Sequence, residues 1–240
     1  MKKHYLSALV LALFTATASA QITTKDQANK QIEALEAADT EAAATAKAAV
    51  AAASDANGYN QAVKDFYQAI NGSRVYFTNS ARGAKNYLTL SPAFAAAGDR
   101  TDTPTAENVF ELEYDEANNS FALSHAVTGR ALKNLPGSNN PVPTTAEEGG
   151  LYSFVVSGQN NTFSLRNDAT GGTHNVLHLA GDKTGAQYNV VRWSAGSSAL
   201  TDPSTWAIES ADDITDNQLK AAALQRLLSF DLTSNIGQGL

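Results

Sequence analysis

The chain has 240 residues, a formal charge of −7, 43% hydrophobic and 17% charged residues, and no cysteine. That length holds one large domain or two small ones. The missing cysteine excludes a disulfide framework, a thiolate metal site and a cysteine nucleophile. The acidic balance argues against nucleic-acid binding through phosphates, which takes an excess of Lys and Arg.

Lys2 and Lys3 precede an uncharged apolar stretch, Leu6 to Ala18, and Ala18-Ser19-Ala20 places small residues at a cleavage site. This is the pattern of a secretory signal peptide cut after Ala20. The apolar run is short for a bilayer, which takes about 20 residues. The expectation is a secreted or periplasmic protein with no membrane insertion. Losing Lys2 and Lys3 would leave 15 basic side chains against the same 24 acidic ones.

Residues 24–53 read as helix. Thr24 and Gln27 make a capping box, and 12 of the 20 residues from Ala34 to Ala53 are alanine, the best helix former. A turn at 54–58 is followed by Tyr59, Val63, Phe66, Tyr67 and Ile70 at helical spacing, and Asn71-Gly72 ends the segment. From Val75 to about Glu209 the texture changes to short alternating runs between Asn, Gly, Asp and Ser clusters, a strand-and-turn pattern. Asp212 to Phe230 reads as another helix, with Leu219, Ala223, Leu227 and Phe230 as its apolar stripe. The expected organisation is a signal peptide over 1–20, an alanine-rich helical hairpin over 21–72, a β domain over 73–210 and a C-terminal helix and tail over 211–240. The hairpin's Val63, Phe66, Tyr67 and Ile70 are expected to pack against Leu219, Leu227 and Phe230.

The β region repeats itself. Val75-Tyr76-Phe77-Thr78-Asn79, Phe121-Ala122-Leu123-Ser124-His125 and Phe163-Ser164-Leu165-Arg166-Asn167 align at spacings of 46 and 42 residues. Each is followed by a leucine strand core (Leu88 with Leu90, Leu132, Leu177 with Leu179) and then by a pair, Phe110 with Leu112, Phe154 with Val156 and Trp206 with Ile208. Three units of about four strands fit a closed three-fold structure, which leaves no sheet edge open. The alternative is a β-sandwich with chance likeness between hairpins.

Tyr87-Leu88-Thr89-Leu90, Phe121 to Gly129, Asn161 to Gly171, Val190 to Gly196 and Ser204-Thr205-Trp206-Ala207-Ile208-Glu209 resemble the ricin B-type β-trefoil lectin family, in its divergent bacterial secreted form. The resemblance covers about 136 of the 240 residues. The family's Gln-x-Trp signature is reduced to Ser204-Thr205-Trp206. The resemblance implies a β-trefoil and a non-catalytic, carbohydrate-binding function without cofactor, with a glycan or glycoprotein as partner. A protein-interaction or inhibitor module, with a protein partner held through the helices, is the alternative. The family's pocket Asp falls on Thr89, Lys133 and His178, none acidic, and its Gln on Val191. What remains for a ligand is Trp193 with His178, Asn189, Arg192 and Asp202: an aromatic face for a sugar ring, with polar neighbours for its hydroxyls.

Other patterns carry less. Arg192-Trp193-Ser194-Ala195-Gly196 lacks the first Gly of a nucleophile elbow. His174 and His178 lack the Glu of a helical zinc motif. The pairs Asp212/Asp213 and Glu147/Glu148 read as a helix start and a solvated loop. No catalytic residue and no metal ligand is expected.

Overall fold

The computed structural model describes residues 21–133, 140–156, 161–167, 175–193 and 202–236, with side chains to 229 in the last helix. The expected signal peptide, His174, Ser194 and the Phe230 side chain lie outside the described residues.

The strands form three successive sets of four. The first unit has β1 (Arg74–Asn79), β2 (Asn86–Leu90), β3 (Ala96–Arg100) and β4 (Val109–Asp115). The second has β5 (Ser120–His125), β6 (Arg130–Leu132), β7 (Thr144–Thr145) and β8 (Ser153–Val156). The third has β9 (Phe163–Arg166), β10 (Val176–Thr184), β11 (Gln187–Trp193) and β12 (Ala207–Ser210). The outer strands of each set close a six-stranded barrel. β1 pairs with β4, β4 with β5, β8 with β9 and β12 with β1, and the bridges Phe121–Tyr152 and Phe163–Trp206 complete the ring.

The inner hairpins meet in a triangle over one end of the barrel. Ala97 pairs with Asn189, Pro143 with Ala95, and Val191 with Pro141. These are one contact repeated three times. This closed, three-fold arrangement of four-stranded units is a β-trefoil, and a two-sheet sandwich is excluded. Its interior carries Phe77, Leu123 and Leu165 at one level and Phe110, Tyr152 and Trp206 at another, all buried.

Register corrects one expectation. Phe110 pairs with Val75, and Tyr152 and Trp206 bridge the equivalent Phe121 and Phe163. The core aromatic of the second unit is therefore Tyr152, two residues before Phe154. Residues two apart in a strand share a face, so alternation alone does not separate them.

Before the barrel come α1 (Lys25–Glu33), α2 (Thr40–Ala52) and α3 (Ala56–Ala69). The single helix expected over 24–53 is interrupted. Leu35 leaves helical geometry (φ −118°, ψ 8°) and is fully buried. The Asp39 carboxylate then accepts from the Glu41 and Ala42 amides and starts α2. Alanine propensity favours a straight helix by tenths of a kcal/mol per residue. Burying a leucine contributes about 2 kcal/mol, which outweighs that preference and breaks the helix at Leu35. Thr24 caps α1 through the reciprocal box with Gln27.

These helices close the barrel end opposite the hairpins. Tyr67 lies 5.1 Å from Phe121 and 5.7 Å from Tyr114, ring to ring. Gln31 donates to the Phe154 carbonyl, and the Gly72 amide donates to Leu112. Gly72 takes φ +84°, the left-handed turn that ends the helical layer.

The last helix, α4 (Asp216–Ile236), does not pack against them. Thr215 and Gln218 cap its start reciprocally. Leu219 packs on the outer barrel wall with Tyr76, Tyr87 and Val109, while Leu227 is exposed. The expected layer of Val63, Phe66, Tyr67 and Ile70 against Leu219 and Leu227 is thus corrected. Two arginines fix the helix along the wall. Arg74 pairs with Asp216, and Arg226 pairs with Glu107 and donates to the Leu90 carbonyl.

Candidate functional site

Strand register shows what the three units share. Asn79, His125 and Asn167 are equivalent and all buried. Two of them reach back into the preceding unit around the ring. Asn79 Nδ2 donates to the Pro203 and Thr205 carbonyls, and His125 Nε2 lies 2.9 Å from the Glu107 carbonyl. Each target adjoins a single 3-10 turn, Asp202–Ser204 or Ala106–Asn108. Burial pushes the His125 imidazole down to about 4, so it is neutral at pH 7 and serves as a staple.

Thr89, Lys133 and His178 form the next equivalent set. Thr89 is 2% exposed and its hydroxyl donates to the Glu107 carbonyl, so it has no face for a ligand. Lys133 is exposed. His178 Nδ1 lies 2.8 Å from Ser204 Oγ. Diagonal to this set, opposite Tyr87, Ala131 and Val176 across the hairpin, stand Asp99, Thr145 and Trp193. Only the third unit carries an aromatic there.

Trp193 is 39% exposed, although it is a large apolar side chain on a strand. It pairs with Val176 across the hairpin, which puts His178, two residues on, diagonally beside it on the same face. The two rings stack, with centroids 5.1 Å apart and planes at 23°. His178 is 9% exposed, and burial, followed by the charge of Arg82, pushes it down to about 4. A neutral imidazole thus supports the indole from below. Ser204 anchors the imidazole, and the Ser204 carbonyl accepts from Ser164 Oγ.

Of the five residues expected around the ligand, Trp193 and His178 come into direct contact. Asp202 is exposed in the 3-10 turn that carries Ser204. Arg192 points to the other face of β11 and is buried, which pushes its guanidinium below its usual range. Asn189 shares the face of Trp193 but lies four residues away, about 13 Å along the strand. It sits in the seam with Ala97 and accepts from Thr184 Oγ1.

Two contributors went unread in the sequence. Ser204 was legible only as a remnant of a core motif. Arg82 stands in a 3-10 turn of the first unit (Ala81–Gly83) and reaches across to the third, donating to the Leu179 carbonyl.

The His178–Ser204 pair has the spacing of a base and a nucleophile, but Ser204 is 2% exposed, so its hydroxyl meets no substrate. Among the described residues no group of three or more His, Asp or Glu could hold a metal ion. A polar recess of about 380 Å³ lies elsewhere, at the start of β1, lined in part by Ser73, Arg74, Glu111 and Asp212. Its guanidinium is already held by Glu111 and Asp216.

No protein-family model matches the sequence, and no curated protein matches it. Among solved structures the chain is similar to the Macrolepiota procera ricin B-like lectin in complex with lactose (16% identity, TM-score 0.47, covering 58% of this chain and 96% of that one). It is similar also to the Rhizoctonia solani agglutinin (14% identity, TM-score 0.47, 58% and 95%). A third similar structure is the PSL1a–E64 complex (13% identity, TM-score 0.45), where the match covers 58% of this chain and about half, 48%, of that one. The strand pairing described above establishes the fold by itself. By that pairing, the chain is a β-trefoil.

Proposed function

We propose that the chain is a non-catalytic carbohydrate-binding module whose saccharide site is the Trp193 face of the third unit. The observation that carries this reading is an exposed indole held in place before any ligand arrives, by the stack on His178 and the Ser204 anchor beneath it. A fixed aromatic face takes the apolar side of a sugar ring at little ordering cost, and the exposed Asp202 carboxylate offers an acceptor for hydroxyls. The same proposal has the protein exported after cleavage at Ala20. Binding of the mature protein to a panel of immobilised glycans tests the site. The expected result is saturable binding to a subset, lost in Trp193→Ala while the fold melts as before. Binding unaffected by that substitution would refute it.

A second reading, a protein-interaction module, is favoured by α4. Leu224, Leu227 and Leu228 are 57%, 67% and 55% exposed at helical spacing. A blank glycan panel, together with a defined protein partner lost on Leu224→Gln and Leu227→Gln, would select it.

A further inference from the structure

Arg226 of α4 is held as a bound ligand would be. Its guanidinium meets three different groups of the first unit. Nε is 2.7 Å from the Glu107 carboxylate, Nη2 donates to the Leu90 carbonyl at 2.6 Å, and the guanidinium carbon lies 5.7 Å from the centre of the Phe94 ring. A carboxylate, a carbonyl and an aromatic ring satisfy a guanidinium's charge, its donors and its flat face. Only 21% of the Arg226 side chain stays exposed.

The first unit fixes these groups by bonds in which α4 has no part. The Glu107 amide donates to Thr105 Oγ1, and the Glu107 carbonyl accepts from Thr89 Oγ1 and lies 2.9 Å from His125 Nε2. Phe94 takes φ +57°, its carbonyl accepts from Thr144 Oγ1, and the Arg130 guanidinium stands 4.9 Å from its ring. Leu90 lies in β2, in register with Ala96. In the third unit the equivalent carbonyl, that of Leu179, also accepts from an arginine, Arg82. The fold thus offers this carbonyl twice to a guanidinium that comes from outside the hairpin.

The occupant is placed less firmly than the cradle. α4 is tied to the barrel through Leu219, the Arg74–Asp216 pair and Arg226, while Leu224, Leu227 and Leu228 face outward. A peripheral helix with so few buried contacts opens locally before the barrel unfolds. Opening leaves the Glu107 carboxylate and the Phe94 ring to another cation.

We propose that the first unit carries a binding site for an arginine side chain of another polypeptide, and that α4 fills this site in cis through Arg226. The chain's net charge of −7 favours a basic partner. Trp193 takes no part in the site, so this inference stands or falls apart from the saccharide reading.

The test titrates Nα-acetyl-arginine amide into the Arg226→Ala chain, followed by backbone amide NMR. The expected result is saturable shifts at Leu90, Phe94 and Glu107. Nα-acetyl-lysine amide, a point charge without the planar fork, should bind about tenfold more weakly, and the uncharged Nα-acetyl-citrulline amide not at all. In the wild type Arg226 competes from a tether, so the same shifts should need at least about tenfold more ligand and should come with faster amide exchange in α4. Glu107→Gln added to Arg226→Ala should abolish the shifts, and Phe94→Leu added to it should weaken binding about threefold. Equal affinity of the wild type and Arg226→Ala, citrulline binding as tight as arginine binding, or shifts that survive Glu107→Gln would overturn the proposal. So would the absence of any saturable shift in Arg226→Ala up to about 50 mM ligand.

Discussion

The imidazole of His178 stacks 5.1 Å from the indole of Trp193 while its Nδ1 lies 2.8 Å from Ser204 Oγ, so a buried polar pair fixes the orientation of an exposed ring. His178→Ala should leave the trefoil folded but cost about 1–2 kcal/mol, from the lost hydrogen bond and the void. It should also loosen Trp193, seen as lower fluorescence anisotropy in a variant with Trp193 as its sole tryptophan. Unchanged anisotropy would show that the stack does not hold the ring.

Acid should weaken the fold through its buried histidines. His125 is fully buried and pushed down to about 4, against about 6.5 when unfolded. The unfolded chain therefore binds this proton first. The contribution is complete above about pH 6.5, is lost as pH falls toward 4, and amounts to roughly 3 kcal/mol. Urea melts between pH 7 and 4.5 should show the decline, and His125→Asn, which copies the residue of the other two units, should remove about half of it, with His178, also pushed down to about 4, carrying the rest. A wild-type stability constant across that range would contradict the assignment.

The hairpin cap depends on Gly98. It faces Tyr188 in the seam between β3 and β11, and an added Cβ would collide with the Leu179 side chain. Gly98→Ala should destabilise by about 1–3 kcal/mol through overpacking, read by thermal melting. A second substitution, Leu179→Ala, should make the glycine change nearly neutral in a double-mutant cycle.

Arg226 joins the C-terminal helix to the barrel through Glu107 and the Leu90 carbonyl, and its guanidinium lies 5.7 Å from the Phe94 ring. Arg226→Ala should raise amide exchange in α4 and leave exchange in β4 and β5 unchanged. The global cost should be about 1–2 kcal/mol, as befits a partly buried ion pair.

The repeat was readable because each unit must present the same inward residues to a common axis. Val75, Phe121 and Phe163 recur for that reason, as do Asn79, His125 and Asn167. The helix break at Leu35 was not readable, since tertiary burial overrides a propensity set by alanines. The shift from Phe154 to Tyr152 was hidden by the two-residue period. At the site, only the family resemblance brought Trp193 and His178 together. The burial of Arg192 and the distance of Asn189 depend on which face of the hairpin meets the barrel. Arg82 was invisible, because its reach comes from a left-handed backbone in one unit and an acceptor nearly a hundred residues away in another.

The chain has two tryptophans, and they have opposite environments. Trp206 is fully buried, its Nε1 donating to the Leu177 carbonyl, while Trp193 is 39% exposed. A Trp206→Phe variant, which should fold at a cost of about 1–2 kcal/mol, makes Trp193 the only reporter. Titrating it with a saccharide that the wild type binds should shift the emission to the blue and protect it from acrylamide, at the affinity measured by calorimetry. Saccharide binding that leaves the Trp193 emission and its quenching untouched would contradict the account.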